Sequence, residues 1–594
     1  MRATVDFLLH EWLHVERLAA RARFAEHSRE TFGAVLDMCE RIAREKYAPF
    51  NRLIDSEEPR VENGRVVLPR ATHEAWRAYA ASGMLAAAQT SEWGGMNLPY
   101  VVEAAANAFF SKASVSISAA LLTVGNANLL LAHGTPRQKK VFARAQLEGR
   151  WAGTMCLSEP QAGSSLSDVA TRAVTEDEHD ALGPRFRLTG SKMWISGGEH
   201  EITENIVHLV LAKIVQPDGT LIAGTRGISL FIVPKHLVDA EGHLTGQRND
   251  IALAGLNHKC GWRGTTNTLL NFGERAGALG YLVGRPGEGL RCMFHMMNEA
   301  RIGIGLAAAM LGMAGYEASL AYAKQRPQGR PITGAGKDAS QPQVPIIEHA
   351  DVKRMLLAQK AYAEGALALL LYCARLVDEQ HTADEPASRE AALLLELLTP
   401  VAKSWPSQWC LEGNSLAIQV HGGYGYTRDF PVEQYWRDQR LNMIHEGTHG
   451  IQALDLLGRK VVMDGGAGLK LLAARISATI ERAGHASEFA GRANALAAAL
   501  QSLGAATKAA WASGVPEEAL ANATPYLEAF GHVVIAWTLL DVALATQGRD
   551  DDAACGRRAA ARYFFAYELP KIGAWLAVVN SREPACREMK ESWF

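Results

Sequence analysis

Four separated segments carry residues whose types and spacing could do chemistry. In 436–449 an apolar helical run ends on Glu446, and Gly447-Thr448 lets the backbone bend that carboxylate toward a ligand, the placement a general base needs. In 419–432, Gly422, Gly423 and Gly425 let the main chain approach an anionic group closely. Segment 155–164 reads as a strand running into a Pro/Gly/Ser turn with exposed amides and hydroxyls. Segment 190–198 reads as a turn, a short strand bearing Trp194, and a second turn. Each has an ordinary structural counterpart: a strand-to-loop junction, a core indole, a Gly-rich turn between helices. The glycine loop is not a dinucleotide fingerprint, because no strand precedes it.

The acid at 446 also sits inside His445-Glu446-Gly-Thr-His449, and His10-Glu11-Trp-Leu-His14 repeats the spacing, so both spell the HExxH zinc pattern. Two zinc ligands at i and i+4 need a regular helix and a third ligand downstream. Gly447-Thr448 is poor helix interior, and beyond Asp455 and Asp464 the next acid is the distant Glu481. The 10–14 segment reads as part of an amphipathic docking helix. No metal is expected.

The elements that must position these residues follow from periodicity. Residues 1–150 read mostly as helix, including 30–47, 100–110 and a nearly all-apolar 114–133. From 151 to 285 come short apolar runs (RFRLTG, IVHLVLAKIV, GISLFIVP, TLLNFG) separated by turn residues, with Pro217-Asp218-Gly219 as a hairpin turn. Helical periodicity resumes over 286–462, broken by the Pro/Gly-rich 326–345, and an Ala-rich helical extension fills 463–594. The expected fold class is a multidomain α+β protein with an N-terminal helical domain, a central β domain, a helical bundle and an extra C-terminal helical domain. With 594 residues, several domains are the natural prior.

Hydrophobic residues make up 48% and charged ones 21%, as in compact globular proteins. The net charge of −2 argues against a general affinity for nucleic acid or anionic membrane. Eight cysteines are scattered with no CxxC pair, which fits a reducing cytoplasm better than a disulfide framework. The apolar run 529–545 contains His532 and Asp541 and is short for a bilayer span.

Taken together, CLSEPQAGS, SKMWISGG, QVHGGYGY and HEGTHGIQ resemble the acyl-CoA dehydrogenase family over roughly residues 40–460, in the family's order. The length, FLLHEWLHVERL and the extra helical tail resemble its long branch, which includes 3-(methylthio)propanoyl-CoA dehydrogenases. The resemblance implies a β-barrel-like middle domain and FAD at the junction of two subunits. It implies FAD contacts from Met155, Leu157, Ser158, Trp194, Ile195, Ser196, Arg326, Gln328, Gln419, Gly422, Gly423, Thr448 and Gly450. It implies acyl-CoA contacts from Ser164, Asn298, Arg301 and Gly447, and makes Glu446 the catalytic base. Two departures stand out: Ser165 where an Asp is usual, and a short Pro327-Gln328-Gly329.

The implied reaction is α,β-dehydrogenation of an acyl-CoA to the trans-2-enoyl-CoA, with 3-(methylthio)propanoyl-CoA or a medium-chain acyl-CoA as substrate. A thioester α-hydrogen is too weakly acidic for a carboxylate in water. The step needs desolvation of the base, donors to the developing enolate and an electron sink at the β-carbon. Some relatives carry the base just before the arginine that here is Arg301. That position is Ala300, and Glu299 lies about 100° away on a helix. An electron-transferring flavoprotein is the expected acceptor and a homodimer, or a tetramer, the expected assembly. Alternatives are an oxygen-using acyl-CoA oxidase, a non-catalytic flavin-binding protein and, remotely, a zinc protease.

Overall fold

The computed structural model describes residues 1–117, 120–332 and 336–594, leaving aside the side chains of Ala120, Leu121 and 295–298. The chain divides into two compact units. One comprises residues 1–29, 99–112 and 301–594, and the other residues 30–98 and 113–300. The N-terminal 150 residues are thus shared between units, because Asp378 accepts from the first amides of helix Tyr100–Ala113, Tyr100 N at 2.7 Å and Val101 N at 2.9 Å. A carboxylate at a helix N-terminus satisfies donors that have no intrahelical partner.

The second unit begins with helices α1 (Arg29–Ile42) and α2 (Arg70–Ala81). After the α3 segment (Tyr100–Ala113) comes α4 (Ala120–His133). Residues 114–117 are turn rather than the helix expected there. The main sheet of the strand-rich part has eight strands: β1 (Trp151–Cys156), β2 (Arg172–Asp177), β3 (Arg185–Ser196), β4 (Asn205–Ile214), β5 (Ile228–Pro234), β6 (Ile251–Leu256), β7 (Asn267–Phe272) and β8 (Ala278–Val283). β3 pairs with β8, β8 with β5, β5 with β4, β4 with β2, and β2 back with β3, so five strands close into a barrel. β1 adds to β4 in parallel, while β6 and β7 extend from β3.

Alternation along β4 explains its uniformly apolar sequence. Val207, Leu209 and Leu211 face one core with Trp151, Phe142 and Leu130, while Val210 and Ala212 face another with Phe231 and Leu188. Pro217-Asp218-Gly219 does form a tight turn. Gly219 takes a φ of +81° and Gln216 N bonds Thr220 O at 2.9 Å.

In the first unit, α5 (Gly289–Gln325, assigned to it from Arg301), α6 (Ala350–Thr382) and α7 (Glu385–His421) form the bundle. They are followed by α8 (Val432–Arg440) and α9 (His449–Asp455). The tail supplies α10 (Ala467–Gly484), α11 (Ala490–Ala510), α12 (Ala523–Leu544), α13 (Asp552–Tyr563) and α14 (Ile572–Ser581). α12 packs against α6 and α9, and Trp405 of α7 donates to His532 of α12 at 3.2 Å. Two helical stretches, Glu299–Gln325 and Ala523–Leu544, are long and apolar enough to cross a membrane, but both are mostly buried within the protein. The N-terminal amphipathic stretch is helical in pieces, interrupted where His14 takes a φ of +49°.

Candidate active site

Glu446 lies between a short 3-10 turn, Leu441–Met443, and α9, outside any regular helix. Its backbone is left-handed, φ +52°, and Gly447 follows at φ +89°. A non-glycine residue held there costs about 1–3 kcal/mol and persists only where its surroundings enforce it. Two side chains do so. Lys403 Nζ of α7 donates to Gly447 O at 2.6 Å, and Gln452 Nε2 of α9 donates to Glu446 O at 3.1 Å. Thr448 caps α9, its Oγ1 accepting from Ile451 N. Among the described residues the Glu446 N–H has no hydrogen-bond partner, so it is available to a ligand.

Burial pushes the Glu446 carboxyl above the ordinary carboxylate range, while the charges of Lys403 and Arg301 pull it down. Burial brings Lys403 down to about 7, against the pull of Glu446 and with the help of Arg301. Arg301 is 5% exposed. Its Nη1 pairs with Asp455 Oδ2 at 3.0 Å, and its Nε is buried without a partner among the described residues. The result is a carboxyl whose proton affinity is raised by burial and restrained by two neighbouring cations, the electrostatics of a tuned base.

The same kink removes the metal reading of 445–449. His445 precedes the break and bonds Asn442 Oδ1 at 3.1 Å, whereas His449 begins the next helix, so the two rings do not share a helical face. Burial, with Lys403 nearby, drops His445 to about 3. At the N-terminus the left-handed His14 ends the helical run after His10, and His10 Nδ1 pairs with Glu16 at 3.2 Å.

In the second unit a buried ion pair joins two of the signature segments. Lys192 Nζ lies 2.8 Å from Glu159 Oε1 and 3.1 Å from Leu157 O, and Met193 N donates to Ser158 O at 3.0 Å. Glu159 also accepts from Thr171 N, Thr171 Oγ1 and Ala170 N. Burial alone would raise Glu159. The Lys192 charge and these hydrogen bonds override it and hold the carboxyl at about 2. The clamp fixes the turn after β1 against β3, where Trp194 takes a φ of +65° and is 60% exposed. That indole is therefore not core.

Other expected contacts fall out as follows. Met155 is buried at the end of β1, with Leu157 and Ser158 half-buried after it. Ile195 turns its side chain into the strand core and its carbonyl accepts from Thr268 Oγ1 at 3.0 Å, leaving half-buried Ser196 as the polar group beside Trp194. Ser164 is exposed in the turn. In the first unit the Arg326 guanidinium lies 5.8 Å from the Tyr424 ring centroid, bringing the 326–328 segment to the glycine loop. Gln328, Gln419, Gly422 and Gly423 are exposed there, with open space where a Cβ would stand on either glycine. Gly450 is exposed on the first turn of α9, and Gly447 is half-buried. Asn298 lies outside the described side chains.

Sequence reasoning gave no site role to Glu159, Lys192, Lys403 and Gln452, and weighed Asp455 only as a downstream acid. A signal existed for the two lysines, each a lone cation within an apolar stretch, where an unpaired charge is costly.

Matches to known proteins agree in order and extent. The acyl-CoA dehydrogenase N-terminal domain matches residues 29–150, the middle domain 154–262 and the C-terminal domain 287–461, with an acetyl-CoA dehydrogenase C-terminal like domain over 472–590. The chain belongs to the acyl-CoA dehydrogenase family.

Within the family, it is 38% identical to the 3-methylmercaptopropionyl-CoA dehydrogenase of Ruegeria pomeroyi over 91% of this chain and 89% of that protein. It is 31% identical to a butyryl-CoA dehydrogenase of Syntrophomonas wolfei over 99% and 98%. Among solved structures, Caenorhabditis elegans ACDH-11 in complex with C11-CoA has the same fold at a TM-score of 0.75 and 21% identity, over 96% of this chain and 90% of that one. A Bacillus anthracis acyl-CoA dehydrogenase complexed with FAD gives 0.74 and 20%, over 93% and 88%. These acyl-CoA dehydrogenases match the chain through its tail, so the extension belongs to a shared long form rather than to an unrelated fused domain.

Proposed function

We propose that Glu446 is the catalytic base of this FAD-dependent acyl-CoA dehydrogenase, taking the α-proton of the acyl thioester on its carboxylate. The reading rests on one observation, a desolvated carboxyl held at a left-handed kink by Lys403 and Gln452. Substrate binding removes the remaining water and raises its proton affinity further. The Glu446 N–H donates to the thioester oxygen, where charge accumulates as the α-proton leaves. Arg301, anchored by Asp455, holds the carboxylate side of the acyl site in a positive field.

The residues present fit FAD. Within the second unit an exposed indole at Trp194 and the hydroxyl of Ser196 offer a flat wall, and within the first an open glycine loop beside Arg326 and Tyr424 offers a close approach for phosphates. When bound, the flavin supplies the acceptor for the β-hydride. Met155, Leu157 and Ser158 then serve the ring edge, Thr448 and Gly450 further FAD contacts, and Ser164 the CoA arm. Arg326 and Gln328 hold the pyrophosphate or adenine half, and Gln419, Gly422 and Gly423 reach the FAD of the partner subunit in a homodimer.

3-(Methylthio)propanoyl-CoA is the substrate favoured by the 38% identity to the Ruegeria enzyme, with a medium-chain acyl-CoA behind it. An electron-transferring flavoprotein is the acceptor this reading assigns, and a cytoplasmic location is supported by eight scattered cysteines with no CxxC pair. The test is Glu446→Gln assayed with a panel of acyl-CoAs and a dye acceptor. FAD content should stay at wild-type level while flavin bleaching slows by at least about 10²-fold with every substrate. Bleaching at the wild-type rate sinks the assignment. Stoichiometric peroxide in air points instead to the oxidase.

A further inference from the structure

Lys403 lies in the interior of α7, between Ala402 and Ser404, with no exposure to water. An ammonium there carries a desolvation cost that a methionine of similar length would avoid. Its reach is spent on the carbonyl of the residue after the base, Gly447 O at 2.6 Å, across 44 positions of sequence. Gln452 holds the preceding carbonyl, that of Glu446, from α9. Two consecutive peptide groups with positive φ are thereby pinned from two different helices. Among the described residues, the charged and titratable groups facing Lys403 are Glu446 and His445 from this loop and Arg301 from α5, the last paired with Asp455 of α9.

We propose that Lys403 is a positioning residue for the base: its ammonium locks the Gly447 peptide so that the Glu446 carboxylate and N–H face the thioester together, and its charge keeps that carboxylate ready to accept a proton. The inference rests on Glu446 being the base. A buried cation beside a carboxylate favours the ionised form. Because burial brings Lys403 to about 7, this help is present below neutrality and fades above it.

The experiment compares holoenzymes carrying Lys403→Gln, which keeps a donor for Gly447 O but no charge, and Lys403→Met, which keeps neither. Two readouts are taken: infrared titration of the Glu446 carboxyl, by difference from Glu446→Gln, and the pH profile of flavin bleaching by saturating acyl-CoA. In Lys403→Gln the carboxyl midpoint and the acid limb should both move up by about one pH unit. The deficit against wild type should narrow above pH about 7 as the wild-type lysine loses its proton. In Lys403→Met the bleaching rate should fall by a further tenfold or about that, with KM within about twofold, because a transition-state interaction rather than uniform binding has been lost. An unmoved midpoint in either folded, FAD-loaded variant overturns the inference, and Lys403→Gln alone decides it if the methionine variant does not fold. Bleaching by Glu446→Gln at the wild-type rate would instead remove the base assignment itself, whatever the lysine variants do.

Discussion

Lys192 and Glu159 meet at 2.8 Å with both side chains withdrawn from water, and through that pair the turn after β1 is tied to β3. The two residues belong to different signature segments, so one ion pair sets the spacing of both. Replacing Lys192 by Met strands a buried carboxylate and is expected to cost about 3–5 kcal/mol. Thermal melts should show the loss, and the ratio of flavin to protein absorbance should fall with it. Intact stability in the variant refutes the clamp. The pH sign follows from the lowered Glu159 value. Its contribution is complete above the ordinary carboxylate pKa and is lost as pH falls toward about 2, so the variant and wild type should converge in acid.

Trp194 stands at a φ of +65° with its indole 60% exposed, so neither backbone preference nor burial explains a tryptophan there. Left-handed backbone costs a non-glycine residue about 1–2 kcal/mol. Trp194→Gly is therefore expected to leave the apoprotein's melting temperature unchanged or slightly raised, while FAD affinity weakens by about tenfold or more. Unchanged affinity, measured by fluorescence titration of the apoprotein, would return the indole to a surface role.

Asp378 carries the opposite electrostatic sign from Glu159. Burial raises it to about 7, although Val101 N and Tyr100 N donate to it. A folded-state pKa above the unfolded value favours the fold at low pH and withdraws that help as pH rises through about 7. Asp378→Asn does not titrate, so its stability should improve relative to wild type as pH rises from about 4, where the unfolded carboxyl ionises, to about 7, where the folded one does. Parallel melting curves across that range would contradict this.

Gly531 of α12 lets the tail lie against Trp405 of α7. A Cβ there would stand 2.5 Å from Trp405 Cδ1. Gly531→Val is expected to destabilise by about 1–3 kcal/mol through overpacking. Denaturant unfolding should report it together with a change in near-ultraviolet tryptophan dichroism, and a neutral result would mean that the tail is loosely docked.

The amino-acid sequence by itself determined the order of helical and strand-rich regions and, through the family its four signature segments resemble, the reaction class. Periods of two and 3.6 residues are local, and the four signature segments are contiguous, so each is legible without knowing what it touches. The resemblance of HEGTHGIQ also singled out 446 as the expected base, with Glu299 set one residue out of phase from the alternative position. Only the tertiary structure decided which groups serve that residue. Lys403 and Lys192 stand out in sequence only as lone cations in apolar stretches, and their partners appear only when α7 delivers the first to Gly447 and Glu159 is found 2.8 Å from the second. The kinks at Trp194 and Glu446, the division of the first 150 residues between two units and the break in the zinc-like pattern were equally out of reach. Partners distant in sequence leave no period to read, and a buried charge is distinguished from a solvated one only by what surrounds it.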